Sequence, residues 1–405
     1  MTGVQTCALP ICAKLINWGF YTNITGRNIT PLVLEYINTS NYTVRGIGTS
    51  RNITTTGINT FPFQLVSGTD VFSTSNHMFG WKDGTTTTAN AGVITYDTSN
   101  LFNIPVQTNS DVLYTFSSHT FTNAGATGRF GPILSQCLSA YSSASWAASY
   151  LNMTSQGIQL WTVPATGNYT ITCAGAKGGS TYAPSYTFTG GQGVIMSGTF
   201  NLTKGDVLKI AVGQIGGNYA YTGGGGGGSF VSKSDNTPLI VAGGGGGAGA
   251  NGGNGFNATT STSGTTGNSG YAGGVNGYGS TYTGNAGWGQ SGAGFYGDGN
   301  GRSTNYYDSG EVAKAFINGA TGAQENGTSF NTSCNGAPGG FGGGGSGSCN
   351  GGGGAGGYSG GGGGGGAGGS YNNGLSQSNG TLNNGVGYVT ITSTFTIIQS
   401  GYLSG

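Results

Sequence analysis

Apolar and polar residues alternate strictly through much of the chain, while helical spacing occurs once. "TPLVLEYINTSNYTVRGIG" (30–48) and "GVITYDTSNLFNIPVQ" (92–107) read as short strands between polar turns, because successive strand side chains point to opposite faces. "GWKDGTTTT" (80–88) carries the Asp-Gly pair of a tight hairpin, with Asp83 as a turn residue. Further along, "YTFSSHTFTNAG" alternates from Tyr114 onward. In "GIQLWTVPATGNYTITCAGAKGG", Ile158 and Leu160 alternate with Gln159 and Trp161, "PATG" turns the chain, and Tyr169, Ile171 and Cys173 share a face. "GVIMSGTFNLTKGDVLKIAVGQ" gives two strands joined at a Lys204-Gly205-Asp206 turn. "GSFVSKSDNTPLIVAGG" is a further hairpin, and "GVGYVTITSTFTII" supplies a closing strand. The one helix is predicted in "GPILSQCLSAYSSASW". There Pro132 suits a first turn, and Ile133, Leu134, Cys137, Leu138 and Tyr141 fall on one face.

Between these strands lie glycine tracts, of which "GGFGGGGSGSCNGGGGAGGYSGGGGGGGAGG" (339–369) is the densest. The chain holds 89 glycines and only 9 prolines in 405 residues. Collagen is excluded, since a triple helix needs strict glycine periodicity with abundant proline. Strands before and after the tracts imply a β-sandwich with glycine-rich segments inserted in it. Anchored at both ends, such segments can lie side by side as polyproline II helices. These have no internal hydrogen bonds, so their amides and carbonyls are free to bond neighbouring helices. Glycine is required because a Cβ would hold the backbones apart. Tyr271, Tyr278, Trp288, Phe295, Phe341 and Tyr358 are spread along the tracts and are expected to cover the bundle or reach solvent. Aromatics among the tracts, with almost no charge to solvate them, favour order over a slack linker.

Charge narrows the functional classes. Twelve basic and 11 acidic residues give a formal net charge of +1. Such a balance leaves no footprint for nucleic acid or for an acidic membrane surface. No apolar run is long enough for a helical membrane span.

Residues 1–12 read as the translation of a sequencing adapter, and we set them aside. Residues 13–113 form a β-rich region with many Asn and Thr, residues 114–392 the glycine-rich module, and 393–405 a tail. Of the remaining cysteines, Cys334 and Cys349 bracket part of the densest tract, where little apolar mass could bury free thiols. A disulfide is favoured there, and with it an oxidising compartment. Such a loop closure would be worth about 3 kcal/mol. A pairing of Cys137 with Cys173 is open as well. A dozen Asn-X-Ser/Thr sequons are present, but about nine are expected by chance in so hydroxyl-rich a chain, so the motif decides nothing.

Catalytic chemistry is hard to find. "GGQGVIMSG" opens a strand instead of the helix a dinucleotide fingerprint needs, and "AGAKGGS" lacks the ending of a phosphate loop. His77 and His119 are isolated in sequence and read as surface or turn residues, and Asp206 as a turn residue. No nucleophile, base and orienting acid lie together. The expectation is a chain without catalytic, cofactor-binding or metal-binding residues.

At "FTNAGATGRFGPILSQCLSAY" the sequence resembles the glycine-rich, TNF-like ectodomain module of the anaplastic lymphoma kinase and leukocyte tyrosine kinase receptors. The likeness continues through "GIQLWTVPATGNYTITCAGAKGG", "VIMSGTFNLTKGDVLKIAVGQIGG", "GGGGGGSFVSKSDNTPLIVAGGGGG" and the Cys334–Cys349 tract, covering roughly 114–392. Similar modules occur in large DNA viruses and phage adhesins. The resemblance implies an all-β fold: a TNF-like β-sandwich with an inserted bundle of polyproline-II-type glycine helices and one short α-helix, preceded by a separate β-rich region. In the receptors the module binds cytokines and promotes dimerisation. Here no EGF-like cysteine cluster, membrane helix or kinase signature is found, and 11 acidic residues offer little acidic surface for a basic cytokine.

What remains is surface. The chain has 22 tyrosines, many in loops: "STYAPSYTF", "GGNYAYTGG", "GYGSTYTGNAGWG" and "NYYDSG". Tyrosine gives large amphipathic contact area at low entropic cost and stacks on sugars. Tyr182, Tyr186, Tyr219, Tyr221, Tyr278, Tyr282, Trp288, Tyr306 and Tyr307 are therefore the candidate binding surface, for a protein or glycan ligand. The leading expectation is a non-enzymatic recognition or adhesion protein, extracellular or on a virion. The alternatives are the ectodomain of a receptor kinase at the plasma membrane, and an ice-binding or purely structural protein. A homo-oligomer is left open, since TNF-like sandwiches often trimerise.

Overall fold

The computed structural model describes residues 112–397, apart from 269, 281–288, 302–309 and 326–335, together with strands and a few adjoining residues between 13 and 83. The chain divides into two compact units, Met1–Ser110 and Asp111–Gly405.

In the first unit, strand Asn28–Asn38 is the hub. It pairs antiparallel with Asn41–Gly48, in register at Leu32↔Ile47, and with Arg51–Asn52 and His77–Asp83. His77 and Asp83 therefore lie at the two ends of one strand, opposite Glu35 and Ile29, and not in turns. The rest of the expected Asp-Gly hairpin and the stretch 92–107 lie outside the described residues.

Among the described residues, the second unit carries a separate two-residue strand pair, Gly310–Glu311 with Gln324–Glu325, in its glycine-rich connection, and its sandwich is built on eleven strands. These are β1 (Phe116–Phe121), β2 (Leu151–Ser155), β3 (Ile158–Thr162), β4 (Gly167–Ala174), β5 (Gly193–Leu202) and β6 (Val207–Ala211). They are followed by β7 (Ser229–Lys233), β8 (Pro238–Ala242), β9 (Tyr371–Asn372), β10 (Leu375–Asn383) and β11 (Tyr388–Ile397). They form two antiparallel sheets, in the orders β1-β11-β4-β5-β10 and β2-β3-β6-β7-β8-β9. Between the sheets, Phe121, Tyr169, Ile171, Met196 and Ile391 of the first meet Trp161, Leu208, Ile210 and Val231 of the second. Full burial of a side chain such as Phe121 contributes about 1.5–3 kcal/mol relative to exposure.

The outward face of the five-stranded sheet is a lattice of hydroxyls. Registers align Thr120, Thr390, Thr172 and Ser197 in one row, and Ser118, Thr392, Thr170 and Thr199 in the next. Neighbouring hydroxyls bond at 2.9 Å for Thr120–Thr390 and Thr172–Ser197. None of its five strands carries a charged residue.

The middle of the six-stranded sheet is covered on both faces. β8 is buried at every position and β7 at all but Lys233. Ile158, Phe230 and Val241 point away from the sandwich core into a second core made with Phe295, Phe316 and Phe341 of the glycine-rich connections. The fully buried Gln159 faces inward beside Trp161, accepting a hydrogen bond from the Tyr141 hydroxyl at 2.9 Å and donating to the Thr122 carbonyl at 3.0 Å.

The glycine tracts leave the sandwich at three places, after β4, β6 and β8. Their hydrogen bonds repeat every third residue. Gly223 and Gly226 donate to Ala248 and Gly245, Gly224 and Gly227 to Gly217 and Gln214, and Gly225 and Gly228 to Gly345 and Gly342. Consecutive amides thus reach three different neighbours, and residues three apart return to the same one. Three residues per turn without internal hydrogen bonds is the polyproline II signature. Each bond contributes only about 1 kcal/mol net, so order comes from their number. Buried alanines such as Ala176, Ala248 and Ala355 continue the tracts at 0% exposure.

The helix is shorter than its pattern suggests. α1 spans Leu134–Ala140, with Ile133 at the N-cap and 49% exposed. The Ile133 amide donates to the Gln136 side chain at 2.9 Å, so the helix starts after the proline and turns Ile133 outward. Cys137 and Tyr141 are buried as expected. A second, single-turn helix, α2, follows at Ala147–Tyr150.

Candidate functional site

Two loops meet at one end of the bundle and gather four of the candidate tyrosines. In the loop from β4 to β5, "STYAPSYTF" folds back on itself. The Thr181 hydroxyl donates to the Tyr186 carbonyl at 2.6 Å and accepts the Phe188 amide at 2.8 Å. The Tyr186 amide donates to the Ala183 carbonyl at 2.8 Å, leaving Pro184 and Ser185 at the tip. In the loop from β6 to β7, "NYAYT" runs beside it. Thr181 and Tyr219 form a parallel bridge, and the Ala183 amide donates to the Ala220 carbonyl at 2.9 Å. The buried Thr222 ties this loop to the bundle by donating to the Gly351 carbonyl at 2.5 Å.

The rings pair across the two loops. Tyr182 meets Tyr219 edge to face at 6.5 Å, and Tyr186 meets Tyr221 edge to face at 6.0 Å. Tyr182 is 61% exposed, while Tyr186 and Tyr221 are each about two-fifths exposed. Large, half-open rings held by backbone bonds and by one another lose little entropy on contact, which suits recognition.

Tyr278 belongs elsewhere. It leads a ladder with Tyr296 (6.2 Å), which continues to Tyr358 (6.4 Å) and Tyr371 (4.7 Å) over the second core. Burial raises the phenol pKa values of Tyr296 and Tyr358, and the neighbouring tyrosines add to it. Tyr296 and Tyr371 escaped the sequence reading, because nothing local in "GFYGDG" or "GSYNNG" shows that they meet. Tyr282, Trp288, Tyr306 and Tyr307 lie outside the described residues.

The cysteines divide. Cys349 is disulfide-bonded, and Cys334, its expected partner, lies outside the described residues. Cys137 and Cys173 are free and buried, so the open pairing between them is corrected. Each fills an apolar position in the sandwich core, one on α1 and one in the middle of a sheet. Burial pushes the Cys137 thiol up to about 11 and raises that of Cys173 further.

His119 is also corrected from a surface or turn residue. It lies in β1 with its ring edge-on to Phe121, Tyr141 and Trp146, at 4.8, 4.5 and 4.9 Å. Desolvation lowers its pKa to about 4. Asp298 binds Lys314 at 2.9 Å and accepts from the Ala315 amide and Asn318, each at 2.8 Å. Burial opposes its charge, but these bonds outweigh it and hold the carboxyl below its usual range. Its role is to fasten the 3₁₀ turn Phe316–Asn318 that carries Phe316. Among the described residues, no group of three or more His, Cys, Asp or Glu could hold a metal ion. No described helix is long and apolar enough to cross a membrane.

No protein-family model matches the chain. Over 101 residues, 24% of its length, the chain is 39% identical to the leukocyte tyrosine kinase receptor of Mus musculus. The matched part is 11% of that receptor. The chain therefore contains a region similar to a segment of a receptor tyrosine kinase.

Proposed function

We propose that this chain is a non-enzymatic recognition protein acting outside the cell, on a cell or virion surface. It presents tyrosine-bearing loops from a rigid glycine bundle docked on a β-sandwich. The observation that carries this reading is the assembly of Tyr182, Tyr186, Tyr219 and Tyr221 from two separate loops into two braced, half-exposed ring pairs. Evolution of a mere covering for glycine would not need rings turned into solvent at a loop tip.

The test is binding of the purified, fluorescently labelled chain to a panel of cells and immobilised cell-surface proteins. Replacing Tyr182 and Tyr221 together with alanine should abolish saturable binding while leaving the unfolding midpoint in place. Equal binding by the wild type and the double variant would remove the tyrosine surface from consideration.

A second reading is favoured by the similarity to a receptor segment: the chain would be part of a receptor ectodomain that binds a protein ligand. Sequencing the gene beyond both ends of the present chain separates the two. A membrane span and kinase motifs downstream would support the receptor, and an upstream shaft with a stop soon after Gly405 the adhesin.

A further inference from the structure

The loop that carries Tyr182 and Tyr186 also borders an open cavity of about 540 Å³. Among the described residues, Lys177, Gln192, Asn254, Phe256, Asn257 and Asn384 line it, and no acidic residue does. Two of its carboxamides are held in place. The Asn254 side-chain oxygen accepts the Thr189 amide at 2.9 Å, and that of Asn257 accepts the Gln192 amide at 2.8 Å. With their oxygens engaged, both NH₂ groups remain to donate. Phe256 is 41% exposed, and its backbone is pinned between Gly365 and Gly246.

We propose that this cavity binds a sugar residue bearing a carboxylate. One cation among several amide donors, with no acid beside them, matches a single carboxylate. The remaining NH₂ groups donate to carboxylate and hydroxyl oxygens, and an exposed phenyl ring packs on the C–H face of a pyranose. The volume falls within the usual range for a small-molecule site. The proposal rests on the recognition reading and specifies its ligand class.

The test uses the full chain made in a host that does not glycosylate, because Asn257 heads an Asn-Ala-Thr sequon. Calorimetric titration compares 3′-sialyllactose with lactose, and trigalacturonate with galactotriose. At least one acidic sugar should bind about tenfold more tightly than its neutral counterpart. Lys177→Met should erase that preference. Asn257→Asp keeps an acceptor for the Gln192 amide and adds a negative charge, so it should abolish acidic-sugar binding without shifting the melting temperature. Equal affinity for acidic and neutral sugars, no binding at millimolar concentration, or a preference that survives both substitutions overturns the proposal. So does a glycan found on Asn257 in native material. All of these leave the tyrosine surface standing, since the cell-binding test on Tyr182 and Tyr221 touches no cavity residue.

Discussion

The carbonyl oxygen of Phe341 lies 1.7 Å from where a Cβ on Gly227 would stand, so the two backbones pass with no room for a methyl group. The same Phe341 carbonyl accepts the Gln214 amide at 2.8 Å, and Gly227 donates back to the Gln214 carbonyl at 3.0 Å. Three strands of the bundle are therefore locked at one contact. Gly227→Ala must push backbone against backbone, which cannot yield as a flexible side chain can. A loss on the order of 3 kcal/mol is expected. At Gly385 an added Cβ would meet only the Asn383 side-chain oxygen, at 3.8 Å. Gly385→Ala should stay within about 0.5 kcal/mol of wild type. Denaturant unfolding of the two variants checks both, and equal midpoints would mean the bundle is not close-packed.

Acid should weaken the fold through His119. Its folded pKa is held down at about 4 against an ordinary 6.5, by burial among aromatic rings. Between those values the unfolded chain takes up a proton that the folded chain refuses. Stability is therefore whole above about pH 6.5 and is lost as the pH falls toward 4. His119→Phe keeps the aromatic packing and removes the proton site. The drop in unfolding midpoint between about pH 7 and about pH 5 should be smaller in the variant than in wild type. An unchanged slope would assign acid sensitivity to other groups.

Much of the sandwich was legible because its strands alternate: Tyr169, Ile171 and Cys173 of β4 were expected on one face and are all buried in the core, and β11 was expected as a closing strand. The six-stranded sheet was only half legible. Phe230, on the outward face of β7, finds its partners Phe295 and Phe316 many residues later, and no local pattern records that meeting. The same limit applies to the site. "STYAPSYTF" and "GGNYAYTGG" announce tyrosine-rich loops, but the pairing of Tyr182 with Tyr219 depends on a bridge between separate connections. His119 misled because histidine is polar in composition, while its strand position places it inward between Phe121 and Trp146. For the cysteines, the glycine-rich surroundings already pointed to an oxidised Cys349, whereas nothing local showed that Cys137 and Cys173 stay free thiols in the core.

Thiol chemistry should reproduce that division. Cys137 and Cys173 are buried with raised pKa values, so little thiolate is available for alkylation in the native chain at neutral pH. Iodoacetamide should label both only after unfolding, and Cys349 only after reduction as well. Peptide mapping reads each site separately. Rapid native labelling of Cys137 would show that α1 opens easily. A peptide joining Cys349 to Cys334 in unreduced digests is the expected pairing.

The aromatic core beneath the tracts should decide whether the bundle opens as a unit. Phe316 stacks on Phe230 at 5.0 Å with 20° between the planes, and Phe295 packs on it at 4.8 Å. Phe316→Ala removes the ring that links the insertion to the six-stranded sheet, at a cost of about 3–5 kcal/mol. The tracts have many backbone bonds but few side-chain anchors, so the loss should fall first on them. Hydrogen exchange in 243–368 should quicken and proteases should cut there, while amides of β4, β5 and β11 stay protected. Tyr278→Ala, at the exposed end of the tyrosine ladder, should change neither. If exchange rose equally in the five-stranded sheet, sandwich and bundle would form one cooperative unit. If the wild type were itself cut rapidly between 220 and 370, the tracts could not hold the tyrosine loops in place, and the recognition surface would go with them.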